Sequence, residues 1–314
     1  MTQFGPVSGT VDGPCTFLNG PVTFTQGAAG AGLVMPDAGK IWYVNKNKVT
    51  GITGNGTTPA KAFLTVTEGF AALSNYDVLI IAPGNYDEAG TLNLTSLTGV
   101  KIFGYGTGFQ WNEGSTCIRD VTSGEDLVLL TSCKAIEIAG IAFINSQAFD
   151  GITFSGINYS THIHDCSFVG DTGGGATGDI AIDLVSGSYA PDLYVHHCRF
   201  LHMDEAGINM GVSSIQRFVM HDCLFIVPDA AFGIKIHSVT SGYNAIWDCK
   251  FLGTAGDGND QGIDIDASTG DGQLLVTDCR FSGITMTGGG TGAEVASTEN
   301  YKASAAGGVI IDPT

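Results

Sequence analysis

Positive charge is scarce in this chain of 314 residues: 13 Lys and Arg stand against 31 Asp and Glu, for a formal net charge of −18 and an isoelectric point near 4.4. No Lys/Arg run is present, so the phosphate-neutralising charge that nucleic acids require is missing, and an anionic membrane surface is excluded on the same ground. Charge of either sign is sparse, at 14% of residues against roughly 25% in ordinary globular domains. Helix-favouring Lys, Glu and Arg are scarce with it, which argues against helical bundles and coiled coils. Apolar runs such as Val78–Ala82 and Ile141–Ile144 fall far short of the ~20 residues of a spanning helix. The opening MTQFGP has no basic stretch leading into an apolar one, so no targeting or anchoring segment is expected. Eight cysteines without a CxxC pair are too few for a disulfide scaffold and have no zinc-site spacing.

What the chain does have is 46 Gly and 9 Pro in a sequence that is still 43% hydrophobic, with a positive mean hydropathy of +0.19. That composition supports a packed core and does not fit a linker or a collagen-like rod. It also repeats. Five cysteines share one frame, in IHDCSF (163–168), VHHCRF (195–200), MHDCLF (220–225), IWDCKF (246–251) and VTDCRF (276–281), and a sixth copy, IAGIAF (138–143), has Ile in place of Cys. From Ile141 through Cys166, Cys198, Cys223, Cys249 and Cys279 the steps are 25, 32, 25, 26 and 30 residues. A second motif interleaves: GITF (151–154), GDIAI (178–182), GINM (207–210), GIKI (233–236) and GIDID (262–266), with isoleucines at 152, 180, 208, 234 and 263.

Alternate apolar positions within each motif, such as Leu193 and Val195, Cys198 and Phe200, or Ile234 and Ile236, are the period-2 signature of strands with one buried face. Helical solenoids fail on this pattern, the leucine-rich signature is absent, and a propeller blade needs about forty residues. A parallel β-helix fits, each coil lying about 4.8 Å above the last so that equivalent side chains stack in columns. Cys166, Cys198, Cys223, Cys249 and Cys279 then form one interior ladder, and Phe168, Phe200, Phe225, Phe251 and Phe281 another. The residue before each cysteine, Asp165, His197, Asp222, Asp248 or Asp278, reads as a corner marker and not as a catalytic row, because Asp tolerates bends and bonds to nearby backbone. The cysteines read as small buried hydrophobes, suited to folding in a reducing cytoplasm.

The stretch from Lys40 to Glu88 carries a Tyr-Val strand, a Gly/Asn loop, a short helix and a strand ending in Pro83-Gly84-Asn85-Tyr86. It resembles the opening segment of right-handed parallel β-helix proteins of the pectate-lyase-like superfamily, bacteriophage tailspike and virion β-helices among them. Thr65 and Glu68 have capping-box spacing for a helix over about 66–74, with Phe70 and Leu73 facing inward to close the N-terminal end. The expected fold is therefore all-β, a single-stranded right-handed parallel β-helix of about eight coils with a short N-terminal capping helix. Residues 1–39 read as a docking or oligomerisation segment, 40–285 as the β-helix, and 286–314 as a C-terminal extension or cap. Within that extension, Gly292–Val295 is expected to continue the Gly-Ile column and Val309–Ile311 to form a short strand.

The resemblance implies that polysaccharide lyases of this fold use Ca²⁺ held by Asp/Glu with an Arg or Lys base, and that hydrolases use paired Asp with GHG and RIK motifs; neither motif occurs here. From the residues themselves, the Gly-Ile face places Ala181, Asn209, Lys235 and Asp264 outward in one stack, with Asp183, His237 and Asp266 just past the second apolar residue. Asp264, Asp266 and His237 are the catalytic candidates, a carboxylate pair with a proton donor. Asp257, Asn259 and Asp260 supply hard oxygen ligands for Ca²⁺, the one cofactor considered. With no recognisable catalytic set, no secretion signal and a self-stacking repeat, the expected function is structural. The chain reads as a bacteriophage virion protein, made in the host cytoplasm and assembling as a homotrimer that decorates a capsid or tail. Its expected partners are itself and major capsid or tail proteins. Two alternatives stand beside this: a tailspike-like or secreted extracellular enzyme, lyase or hydrolase, acting on a polysaccharide, and a non-catalytic adhesin that binds a host glycan.

Overall fold

The computed structural model describes residues 39–48, 51–106, 114–121, 126–144, 150–170, 179–210, 214–228, 231–239, 243–254, 261–265, 273–288, 294–298, 301–304 and 307–310. Expectations for residues 1–38 lie outside these.

Each turn of the chain lays short strands on three sheets in the same order. The first sheet has ten strands, from Ile41–Val44 to Glu294–Thr298, and the third has eight, from Leu92–Thr95 to Thr285–Gly288. The second also has ten, from Gly84–Glu88 to Gly307–Ile310, and only its last pair, Tyr301–Ser304 with Gly307–Ile310, is antiparallel. This is a parallel β-solenoid, as the repeat predicts. The strand Glu294–Thr298 corrects one expectation, because Val295 pairs with Leu274 in the first sheet, while Met286 pairs with Ile263 and continues the Gly-Ile column.

Inward side chains stack because strand pairing fixes their spacing. Phe143, Phe168, Phe200, Phe225, Phe251 and Phe281 are in register turn on turn. Their rings lie nearly parallel, with centroids 4.4 to 5.2 Å apart. Tyr86 and Ile118 extend the column toward the N-terminal end. The five ladder cysteines are buried and unpaired. Four of them, Cys166, Cys198, Cys223 and Cys249, point their thiols at the carbonyl two residues earlier. The corner positions behave as expected: Asp165, His197, Asp222, Asp248 and Asp278 all take φ of 51 to 54°, and Gly140 fills the equivalent place before Ile141. A left-handed residue at that spot turns the chain from the first sheet into the second, which Asp tolerates better than most.

The capping helix spans Val66–Ala72, slightly shorter than expected, with the Thr65/Glu68 capping box formed. Leu73 leaves the helix in an extended conformation yet stays buried with Phe70. Gly69 lies against Val44 and Leu79, and Glu88 accepts the Val66 backbone N–H, fixing the helix over the first turn.

Candidate functional site

The third sheet gathers carboxylates where strands begin after segments of variable length. Asp126, Asp150, Asp179 and Glu205 each stand just ahead of a strand of this sheet: Val128–Thr131, Ile152–Ser155, Ile180–Leu184 and Ala206–Asn209. Asp183 lies within the third of these strands, paired with Thr153 on one side and Asn209 on the other. The outward row runs Thr153, Asp183, Asn209, Lys235, Asp264.

This register corrects the sequence alignment of one turn. Ile182, and not Ile180, pairs with Ile152 and Ile208. Ala181 therefore takes the place that Gly151 and Gly207 hold in neighbouring turns, and it is fully buried instead of facing outward. Asp183 moves into the row that Ala181 was expected to occupy. The physical reason is the phenylalanine ladder: a Cβ at Gly207 would stand 2.7 Å from the Phe225 ring, and from Gly151 to Gly262 the column holds only Gly and Ala.

Burial gives the cluster its chemistry. Asp183 is only 7% exposed, and burial pushes its carboxyl up to about 6 even though Asn209 Nδ2 donates a 2.8 Å hydrogen bond to it, with Asp126 and Glu205 adding like charge. Burial pushes Asp150 further, to about 8, reinforced by the charges of Asp183, Asp126 and Glu205 and opposed by a hydrogen bond from the Ile180 backbone. Burial first, and then the like charge of its neighbours, favours a protonated Asp150 near neutral pH. Beside Asp183, the Thr153 hydroxyl is 2% exposed and has no hydrogen-bond partner among the described residues.

Of the sequence candidates, Asp264 lies two places along the outward row from Asn209, and His237 directly follows the strand Phe232–Ile236, half-buried. Asp266 lies outside the described residues, as do the Ca²⁺ candidates Asp257, Asn259 and Asp260. The sequence reading missed Asp126, Asp150 and Glu205. Their signal was an acid one or two residues ahead of the column, in Asp150-Gly151 and Glu205-Ala206-Gly207.

No protein-family model and no curated protein matches this chain. Solved structures do. A PL6 family alginate lyase is similar at TM-score 0.52 and 12% identity over 85% of this chain, which spans 40% of that lyase. A pectin methylesterase in complex with a hexasaccharide is similar at TM-score 0.50 and 12% identity, covering 83% of this chain and 89% of the other. A pectin methylesterase from Aspergillus niger follows at TM-score 0.49 and 12% identity, covering 86% and 87%. Likeness at such low identity establishes architecture alone. The chain has the architecture of a right-handed parallel β-helix.

Proposed function

We propose that this protein cleaves a polysaccharide, with Asp150 as the proton donor and Asp183 as the partner carboxylate. What carries this reading is the placement of half-buried Asp150 and buried Asp183 on the third sheet among the like charges of Asp126 and Glu205, which with burial raise the first carboxyl to about 8 and the second to about 6. Glycoside cleavage needs one carboxylic acid to protonate the leaving oxygen and one carboxylate to stabilise developing positive charge and activate water. Environment assigns those roles here, since Asp150 holds its proton at neutral pH and Asp183, steadied by Asn209, gives its proton up. The fold supports the reading in that the similar structures include an alginate lyase and a pectin methylesterase bound to a hexasaccharide. The net charge of −18 favours a neutral or weakly charged glycan over a polyuronate, which it would repel. Reducing-end release from a panel of neutral and acidic glycans tests this. Asp150→Asn and Asp183→Asn are each expected to lower the rate by about 10² to 10⁴. No product on any glycan, or full activity in Asp150→Asn, overturns it.

A structural role in a bacteriophage virion is the second reading, and one observation favours it: all seven described cysteines are buried and unpaired, which suits folding in a reducing cytoplasm. On this reading the chain forms a trimer and docks on a capsid or tail through residues 1–39. Light scattering that returns the 32.5 kDa monomer at all concentrations rules it out.

A further inference from the structure

Five of the chain's seven histidines, His162, His164, His196, His197 and His221, sit together on the outward face of the first sheet, away from the acidic row of the third. Two strand rows hold four of them, and His197 stands at the corner just after His196. Lys101, Glu137, His162 and Tyr194 are in register along one row, and Ala139, His164, His196, His221 and Trp247 along the next but one position. In the second row the rings of His164, His196 and His221 stack nearly parallel at 4.9 and 5.0 Å, and Trp247 continues the stack at 4.7 Å. Packed in this way, the imidazoles have little freedom to turn away.

We propose that Glu137, His162 and His164 form a binding site for a divalent transition metal of the Zn²⁺ type. One donor atom from each of the three lies within 4.8 Å of the others. His164 Nε2 and Glu137 Oε1 are 3.2 Å apart, close to the spacing of two ligands on a tetrahedral ion with bonds of ~2.1 Å. On its other side His164 Nδ1 meets the Asp165 carboxylate at 2.8 Å. A neutral imidazole donates there from Nδ1–H, which leaves the Nε2 lone pair aimed at a carboxylate oxygen, two acceptors facing one another across a gap that a cation fills. A carboxylate behind a metal-binding histidine is the usual outer support of such a ligand.

His221 shows what the same arrangement looks like without this feature. Its Nδ1 also meets a carboxylate, Asp222, at 2.7 Å, but its Nε2 faces the Tyr194 hydroxyl, which can donate to it. His164, unlike His221, faces a carboxylate oxygen through Nε2. Lys101 holds the second oxygen of Glu137 at 2.6 Å, which leaves Oε1 as a single-oxygen ligand. His162 pairs directly with Glu137 across adjacent strands, which puts its imidazole on the same face as the carboxylate. The side chains of Glu137 and His164 are 22% and 18% exposed, open enough for an ion to enter. Two imidazoles and one carboxylate leave a fourth tetrahedral position free for water or another ligand.

The test is Zn²⁺ titration calorimetry on the full chain after chelator treatment and dialysis. One saturable Zn²⁺ per chain is expected, weakened at least about 100-fold by His164→Ala or Glu137→Gln and about 10-fold by Asp165→Asn, with His237→Ala unchanged. Circular dichroism confirms that each variant is folded. A second measurement needs no variant: Zn²⁺ should protect His162 and His164 of the wild-type chain from diethyl pyrocarbonate, mapped by mass spectrometry. Absence of saturable uptake, uptake that survives the His162→Ala/His164→Ala double change, or equal modification of both imidazoles with and without Zn²⁺ overturns the proposal.

Discussion

Gly207 lies beneath the ring of Phe225: an ideal Cβ on the glycine would stand 2.7 Å from the phenyl Cε1 and equally close to the carbonyl oxygen of Gly233. The two repeated motifs are thus one packing device, in which a ring from each turn rests on a bare backbone from the turn before. Gly233 under Phe251 and Gly262 under Phe281 repeat it. Gly207→Ala is expected to destabilise by about 1–3 kcal/mol through overpacking. Ala181→Gly, in the same column, should cost no more than about 1 kcal/mol. Urea unfolding midpoints compare the two, and equal effects would separate the motifs again.

Asp248 makes the corner before Cys249 at φ 51° and is exposed. Replacing it with Gly should leave stability within about 0.5 kcal/mol, since Gly adopts that conformation freely. Asp248→Val should cost about 1–2 kcal/mol, because a branched Cβ clashes in the left-handed region. If both changes had the same effect on the thermal midpoint, side-chain bonding and not backbone conformation would govern the corner.

Stability should fall as pH rises from about 4 to about 8. Asp150 and Asp183 are raised from an unfolded value of 3.8 to about 8 and about 6, so the native state binds more protons than the unfolded chain between those limits. Their contribution is complete below pH 4 and is lost as pH climbs through each native value. Asp150→Asn, which keeps the shape without the charge, should flatten the slope between pH 6 and 8. Melting curves across that range decide it, and an unchanged slope in the variant would show that the acidic cluster is not strained by its own charge.

The thiols should be inert in the native protein. Burial pushes Cys117 up to about 11 and lifts Cys198 and Cys249 well above the ordinary thiol range. A disulfide reagent at pH 8 is therefore expected to label none of Cys117, Cys133, Cys166, Cys198, Cys223, Cys249 and Cys279 until denaturant is added. Rapid labelling of any of them, located by peptide mapping, would contradict the dry interior column.

The solenoid itself was legible because its registers are carried by residue types that do little else: Cys and Phe two apart after a corner, and Gly followed by Ile. Where the repeat departs from that spelling, legibility failed. GDIAI offered a glycine, Gly178, that aligned by eye, yet Ala181 is the residue that fits under the ring, and the error moved Asp183 out of its row. The tail failed in the same way, since Gly292 resembled the motif but the strand after it belongs to another sheet.

The amino-acid order alone determined the winding, because strand alternation and a column of small and flat side chains admit one way of stacking. It also determined that the five ladder thiols would lie dry and unpaired. Only the tertiary structure decided which polar groups meet. Asp150 and Asp183 are 33 residues apart, and Glu137 and His164 are 27 apart, yet turns of unequal length bring the second pair to 3.2 Å and the first within reach of one another's charge. Proton affinity and metal-ligand geometry depend on those distances and on burial, and a linear spacing that varies from 25 to 32 residues cannot encode them.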